Sequence, residues 1–126
     1  MYNIQIAKIE CGRCYVKAVL VSGSPRKNGN TVTILNEIGR GLQNQGFEIK
    51  YFILHECTIH LCVGCKTCYK TGDCVHDDDV ALIMQEVFDA QLAVIASPSY
   101  WGDVTAQLKL SLIDARHTAT LIQKKS

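Results

Sequence analysis

The apolar positions of this chain fall into blocks whose period changes from one block to the next. Val16–Val21 is a short, mostly apolar run, the pattern of a strand buried on both faces of a parallel sheet. Ile34, Leu35, Ile38 and Leu42 recur at helical spacing and predict a helix over 31–45 with those four on one face, closed by Gly46 as its C′ residue. Phe47, Ile49, Tyr51 and Ile53 alternate, which predicts a second strand with one face more buried than the other. The pattern lapses between Cys57 and Cys74, an irregular stretch rich in cysteine. Asp77, Asp78 and Asp79 then read as the cap and acidic first turn of a helix striped by Val80, Ile83, Met84 and Val87. Leu92–Ala96 is a continuous apolar run, typical of a central parallel strand. After it, Asp103 is placed to cap a last helix whose core face is Leu108, Leu112 and Ala115.

The element order is therefore β-α-β, a cysteine loop, then α-β-α. Right-handed crossovers place three such strands in the spatial order 2-1-3, an α/β arrangement. Ligands of such sheets sit beyond the carboxyl ends of the strands, where successive connections leave for opposite faces. In this order that point lies between strands one and three, flanked by residues 22–31 and 97–103.

The first of these loops has the composition of an anion site. It joins a strand to a helix whose first N–H groups lack partners and whose dipole points its positive end at the loop. Ser24 and Thr31 bring hydroxyls, Asn28 and Asn30 amides, and Arg26 a planar fork suited to phosphate oxygens. Gly23 and Gly29 allow positive φ or close backbone approach. Neither the P-loop pattern nor the dinucleotide G-x-G-x-x-G is present. The second loop presents Pro98, Ser99, Tyr100, Trp101 and Gly102, and an aromatic loop beside a phosphate site suits a flat ring carried on a phosphorylated chain.

Composition narrows the function classes. A net charge of +1 on 126 residues gives no field that would favour nucleic acid or an anionic membrane. No apolar run approaches a membrane span, and the N-terminus lacks the plan of a secretory signal. Seven cysteines are the outlying number. In a reducing cytoplasm, the expected location, they read as metal ligands or redox thiols rather than disulfides. Cys62, Cys65, Cys68 and Cys74 follow C-x2-C-x2-C-x5-C, a spacing that can wrap one iron–sulfur cubane, with Gly64 and Gly72 freeing the backbone to bring sulfurs inward. Zinc held by four cysteines, and thiols that hold no metal, are the open alternatives. Cys57 falls outside the spacing, and Cys11 and Cys14, in a C-x-x-C that opens no helix, are assigned no function. His55, His60 and His76 flank the loop and are read as surface or supporting residues.

Gly23-Ser-Pro-Arg-Lys-Asn-Gly-Asn-Thr31, Asp77-Asp78, and Ser97-Pro-Ser-Tyr-Trp-Gly102 with Gln107-Leu-Lys109 closely resemble the flavodoxin-like NADPH-dependent FMN reductase family. The cysteine loop resembles the iron–sulfur flavoprotein branch of that family. The resemblance covers residues 16 to about 116. It implies a flavodoxin-like, doubly wound parallel sheet and an FMN whose phosphate is held by Ser24, Arg26, Asn28, Asn30 and Thr31. It places Pro98, Ser99, Tyr100, Trp101 and Gly102 along the ribityl chain and isoalloxazine ring. It also points to a 4Fe–4S cluster on Cys62, Cys65, Cys68 and Cys74, with NAD(P)H or a ferredoxin-type protein as electron donor. Members of the family continue through two further strands and commonly end the last helix in Asp-Arg, whereas Asp114 and Arg116 are split by Ala115 here.

The expected organisation is an N-terminal extension, 1–15, followed by a partial flavodoxin-like FMN-binding domain, 16–126, with the cysteine-rich loop at 57–74. The expected function is an FMN-dependent oxidoreductase whose chemistry belongs to the flavin, with no side-chain acid or base nominated. The alternative is a non-enzymatic metal-binding or interaction fragment that has lost flavin binding. Without a fourth strand, Leu92, Val94 and Ile95 are expected on an unprotected edge. The chain is then expected to form a homo-oligomer through strand three, or to fold residues 2–9, which alternate weakly, onto it.

Overall fold

The computed structural model of the chain describes residues 16–72 and 74–113. Calls on residues 2–9, Cys11, Cys14, Asp114, Ala115 and Arg116 lie outside the described residues.

The sheet grows outward from one strand. β1 (Lys17–Ser22) lies between β2 (Glu48–Ile53) and β3 (Leu92–Ala96), parallel to both, so the strand order is 2-1-3 as expected. Every residue from Ala18 to Ser22 is buried. Because side chains alternate across a strand, β1 feeds two cores at once. Ala18 and Leu20 pack with Leu35 and Leu42 of α1 (Asn30–Asn44) on one face. Val19 and Val21 pack on the other with Leu54, with Val80, Ile83 and Met84 of α3 (Asp79–Asp89), and with Leu108. A three-residue 3₁₀ turn, Leu54–Glu56, precedes the cysteine loop, a short helix α2, Thr67–Thr71, lies within it, and residues 106–113 form the last described helix, α4.

Helix α1 is rotated from the expected face. Its buried positions are Val32, Leu35, Gly39 and Leu42, while Ile34 is 58% and Ile38 37% exposed. The cause is Gly39, where a Cβ would come within 3.2 Å of Leu20 Cδ2. The helix therefore seats its backbone, rather than an isoleucine, against β1. A glycine adds nothing to an apolar pattern, so the pattern points its face too far toward Ile34 and Ile38. The helix end follows expectation: Phe47 N–H reaches Leu42 O and Gly46 N–H reaches Gln43 O, with Gly46 at φ 90°, the paired bonds of a Schellman turn.

The stripe on α3 is as expected, with Val80, Ile83 and Met84 buried and Val87 packed against them. Two expectations near the chain's end need correction. The inward positions of the last helix are Leu108 and Ser111, preceded by Thr105, whereas Leu112 is 44% exposed. Ser111 can face inward because its hydroxyl donates to Gln107 O one turn back. Asp103 does not cap this helix; it closes the turn before it, accepting from Val104 N–H and from Lys109 Nζ.

β3 is not buried like a central strand. Among the described residues it is an edge, with Leu92 and Ile95 exposed, while Val94 and Ala96 pack toward α1. At the opposite, amino-terminal end of the strands, Glu86 of α3 bridges Lys17 and Lys50, and these ammonium groups hold its carboxyl below the ordinary value. No helix among the described residues is long and apolar enough to cross a membrane.

Candidate functional site

At the carboxyl ends of β1 and β3 the two predicted loops do meet. Gly23 N–H donates to Ala96 O at 2.8 Å, continuing the β1–β3 ladder one residue past the strands. The Thr105 hydroxyl, 1% exposed, then donates to Gly23 O at 2.7 Å, and Thr105 N–H donates to Ser97 Oγ at 3.1 Å. A Cβ on Gly23 would stand 3.0 Å from Thr105 Oγ1 and 3.2 Å from Leu108 Cβ. The glycine is therefore required by close approach. Neither it nor Gly29, at φ −84°, uses positive φ.

Within the first loop, Ser24 is buried and its Oγ accepts from Arg26 N–H at 3.2 Å. The hydroxyl shapes the turn instead of facing outward. Arg26, Asn28 and Asn30 are exposed and Thr31 is half-buried. Lys27 is committed to Glu56 at 2.6 Å, whereas no carboxylate among the described residues pairs with Arg26. Helix α1 begins from Gly29 with no side-chain cap and no acidic residue in its first turn. The first bond into the helix is Thr33 N–H to Gly29 O, so the amides of Asn30, Thr31 and Val32 have no acceptor among the described residues. Three uncompensated N–H dipoles and a free guanidinium at one loop favour an anion.

The second loop is a tight hairpin. Tyr100 N–H bonds Asp103 O at 2.8 Å and Asp103 N–H bonds Tyr100 O at 3.1 Å. Trp101 at φ 51° and Gly102 at φ 75° form its two-residue tip, which only a pair of left-handed residues can close this way. Trp101 is fully solvent-exposed and Tyr100 45% exposed, so neither is core packing. Pro98 is half-buried and Ser99 exposed. The Val104 amide and Lys109 keep the Asp103 carboxyl below its ordinary value and so charged.

The cysteine loop is built on different lines. Cys62, Cys65, Cys68 and Cys74 line one cavity of about 300 Å³, floored by Val80 of α3 and bordered by Ile113. Left-handed backbone at Gly64 (φ 68°), Lys66 (φ 60°) and Gly72 (φ 85°) folds the chain around it. Among the described residues no three side chains are gathered as a ready-made metal site. The donor set still fits a thiolate-bound metal group, since such sites complete their geometry as the metal binds. Hydrogen bonds from the Thr67 hydroxyl and backbone hold the Cys65 thiol below its ordinary value, favouring thiolate. Cys57 behaves in the opposite sense. Its thiol packs on the core and donates to Ile53 O at 3.3 Å, and burial, then Asp79 and Glu56, push its pKa up.

A family model described as NADPH-dependent FMN reductase matches residues 16–118. The chain belongs to the NADPH-dependent FMN reductase family. Among curated proteins, an iron–sulfur flavoprotein of Archaeoglobus fulgidus is 39% identical over 94 residues, covering 75% of this chain and 43% of its own length. One of Methanocaldococcus jannaschii is 34% identical over 101 residues, covering 80% of this chain and 52% of its own. Another, of Clostridioides difficile, is 33% identical over 94 residues, with 72% and 42% covered. The chain spans about half the length of the curated relatives it matches. The three-stranded 2-1-3 sheet is the flavodoxin-like, doubly wound arrangement of this FMN reductase family.

Two parts of the site escape a reading of the sequence. Thr105 ties the loops together through a backbone oxygen 82 residues away, and nothing in its own surroundings signals that. Asp78 and Asp79 do more than cap α3. Asp78 accepts from Val80 N–H and from His60 N–H, and Asp79 accepts from Thr58 N–H at 2.6 Å, pinning the start of the cysteine loop. The capping half of this was legible in the Asp77–Asp79 run; the pinning half was not.

Proposed function

We propose that this chain binds FMN at the junction of β1 and β3 and a 4Fe–4S cluster in the cysteine cavity, as part of an NAD(P)H- or ferredoxin-linked electron-transfer oxidoreductase. The observation that carries the flavin reading is the convergence at Gly23, where an uncapped helix N-terminus with an uncommitted Arg26 lies beside an exposed aromatic hairpin. In this reading Arg26, Asn28, Asn30, Thr31 and the first amides of α1 hold the phosphate. Ser24 fixes the turn that presents them, and Pro98, Ser99, Tyr100, Trp101 and Gly102 border the ring. FMN, when bound, exchanges an electron pair with a hydride donor and single electrons with a one-electron carrier such as a cluster. The protein's own part is to bind and orient, and no described side chain is assigned a proton-transfer step.

The cluster reading rests on four cysteines around one cavity, with a thiol at Cys65 biased toward thiolate. The names of the matched proteins, iron–sulfur flavoproteins, support it. The test is the absorption spectrum of the chain purified without oxygen, with iron, sulfide, zinc and flavin assayed on the same sample. Flavin bands with a broad brown shoulder and matching iron and sulfide are expected. Flavin bands alone leave a flavin reductase with free thiols. A colourless protein carrying stoichiometric zinc overturns both parts in favour of a metal-binding module. The redox partner, and self-association through β3, are proposals of the same standing, the latter tested by sedimentation.

A further inference from the structure

One polar atom of a residue that lines the cysteine cavity is used neither by the fold nor by the cysteines among the described residues. His76 lines the cavity two residues beyond Cys74, and its Nε2 is buried with no hydrogen-bond partner among the described residues. An unpaired polar atom out of reach of water is costly, which makes it a place to look for a missing partner. The ring is also held in place. It stacks on His60, with centroids 5.1 Å apart and planes at 14°. His60 is fixed in turn by Asp78, whose Oδ2 accepts from His60 N–H at 2.9 Å and lies 3.5 Å from Nδ1. Asp78 is itself anchored as the cap of α3. The imidazole is thus braced through two residues to a core helix.

Resting on the cluster reading above, we propose that His76 Nε2–H donates a hydrogen bond to a sulfur of the cluster held by Cys62, Cys65, Cys68 and Cys74, and raises its reduction potential. Four thiolates already complete the ligand set, so the imidazole acts on sulfur and not on iron. The backbone supports the direction, because His76 N–H already approaches Cys74 Sγ at 3.5 Å. Reduction adds negative charge to the cluster, and an N–H dipole aimed at its sulfurs stabilises that added charge.

The test uses the full chain reconstituted with iron and sulfide under anaerobic conditions, alongside His76→Phe, His76→Ala and His76→Gln. Iron and sulfide are assayed first, and midpoint potentials then follow from redox titrations read by electron paramagnetic resonance. The Phe and Ala variants are expected to keep the cluster and lower its midpoint, whereas Gln, which retains an N–H donor, recovers at least half of the drop. Loaded Phe and Ala variants with the wild-type midpoint overturn the hydrogen bond and leave the cluster reading standing. If Phe does not load, Ala and Gln decide: equal midpoints for those two overturn the proposal, and a higher one for Gln supports it. A wild-type chain that takes up no iron and sulfide overturns the cluster reading, and the proposal with it.

Discussion

The loop after β1 and the loop after β2 leave the same edge of the sheet, yet they are held by opposite means. The first is fastened from inside. Gly23 is bonded on both its N–H and its C=O, Ser24 is buried, and Thr105 reaches across from the facing loop. The second is fastened at its ends, by Asp79 on Thr58 and Asp78 on His60, while residues 61–66 between are all exposed. A loop braced at Gly23 and Ser24 keeps its shape without a ligand while its helix-start amides and Arg26 stay unpaired among the described residues, which suits a cradle that must bind and release. A loop whose cysteines line a cavity without converging takes its final shape from what it binds. The difference separates a loop braced from within from one held only where it starts and ends.

The sharpest way to break this contrast is to remove cysteines. Cys65→Ser with Cys68→Ser should abolish iron and sulfide binding, while Cys57→Ser keeps both. Full cluster content in the double variant would detach the loop from any metal role. In the loop braced from within, Arg26→Ala should weaken FMN binding by about 1.5–3 kcal/mol, the scale of a charge-assisted hydrogen bond. Fluorescence titration of FMN checks this, and an unchanged dissociation constant removes Arg26 from the site. Thr105→Val keeps the shape and deletes the hydroxyl on Gly23 O. It should cost about 1–3 kcal/mol of stability in denaturant unfolding. A variant as stable as the parent would show that the junction is not held by this bond.

The smallest effect is a control remote from both loops. Glu86 has a folded pKa below its ordinary value because Lys17 and Lys50 donate to it. Its stabilisation is thus present above the unfolded carboxylate range and lost as pH falls through the lowered folded value. Glu86→Gln should flatten the acid limb of the stability curve below the ordinary carboxylate range, an effect screened by solvent and weaker in salt. FMN affinity and metal content should not move. A change in either would show that the two ends of the strands are coupled.

What the sequence disclosed and what it hid divide along physical lines. The 2-1-3 order was legible because a period of two in β2, a buried run in β1 and helical stripes between strands leave few right-handed ways to connect them. The faces of α1 and α4 were misread for one shared reason: inward positions are held by Gly39 and Ser111, which carry no apolar signal. Gly39 touches Leu20, and Ser111 bonds its own helix. At the site, the exposed candidates Arg26, Asn28, Asn30 and Trp101 could be named from residue type alone. The burial of Ser24, the reach of Thr105 and the stranded Nε2 of His76 depend on distances between segments far apart in the chain, which no local pattern encodes.

Asp78 serves two neighbours with one carboxylate: one oxygen starts a core helix, the other holds the loop that carries the cysteines. Helix and loop consequently share a single fastening, and neither can be retuned by mutation at that point without disturbing the other. Val80 of that helix both lines the cysteine cavity and packs with Val19 and Val21 of β1, so a surface cavity and the strand at the centre of the sheet share one side chain.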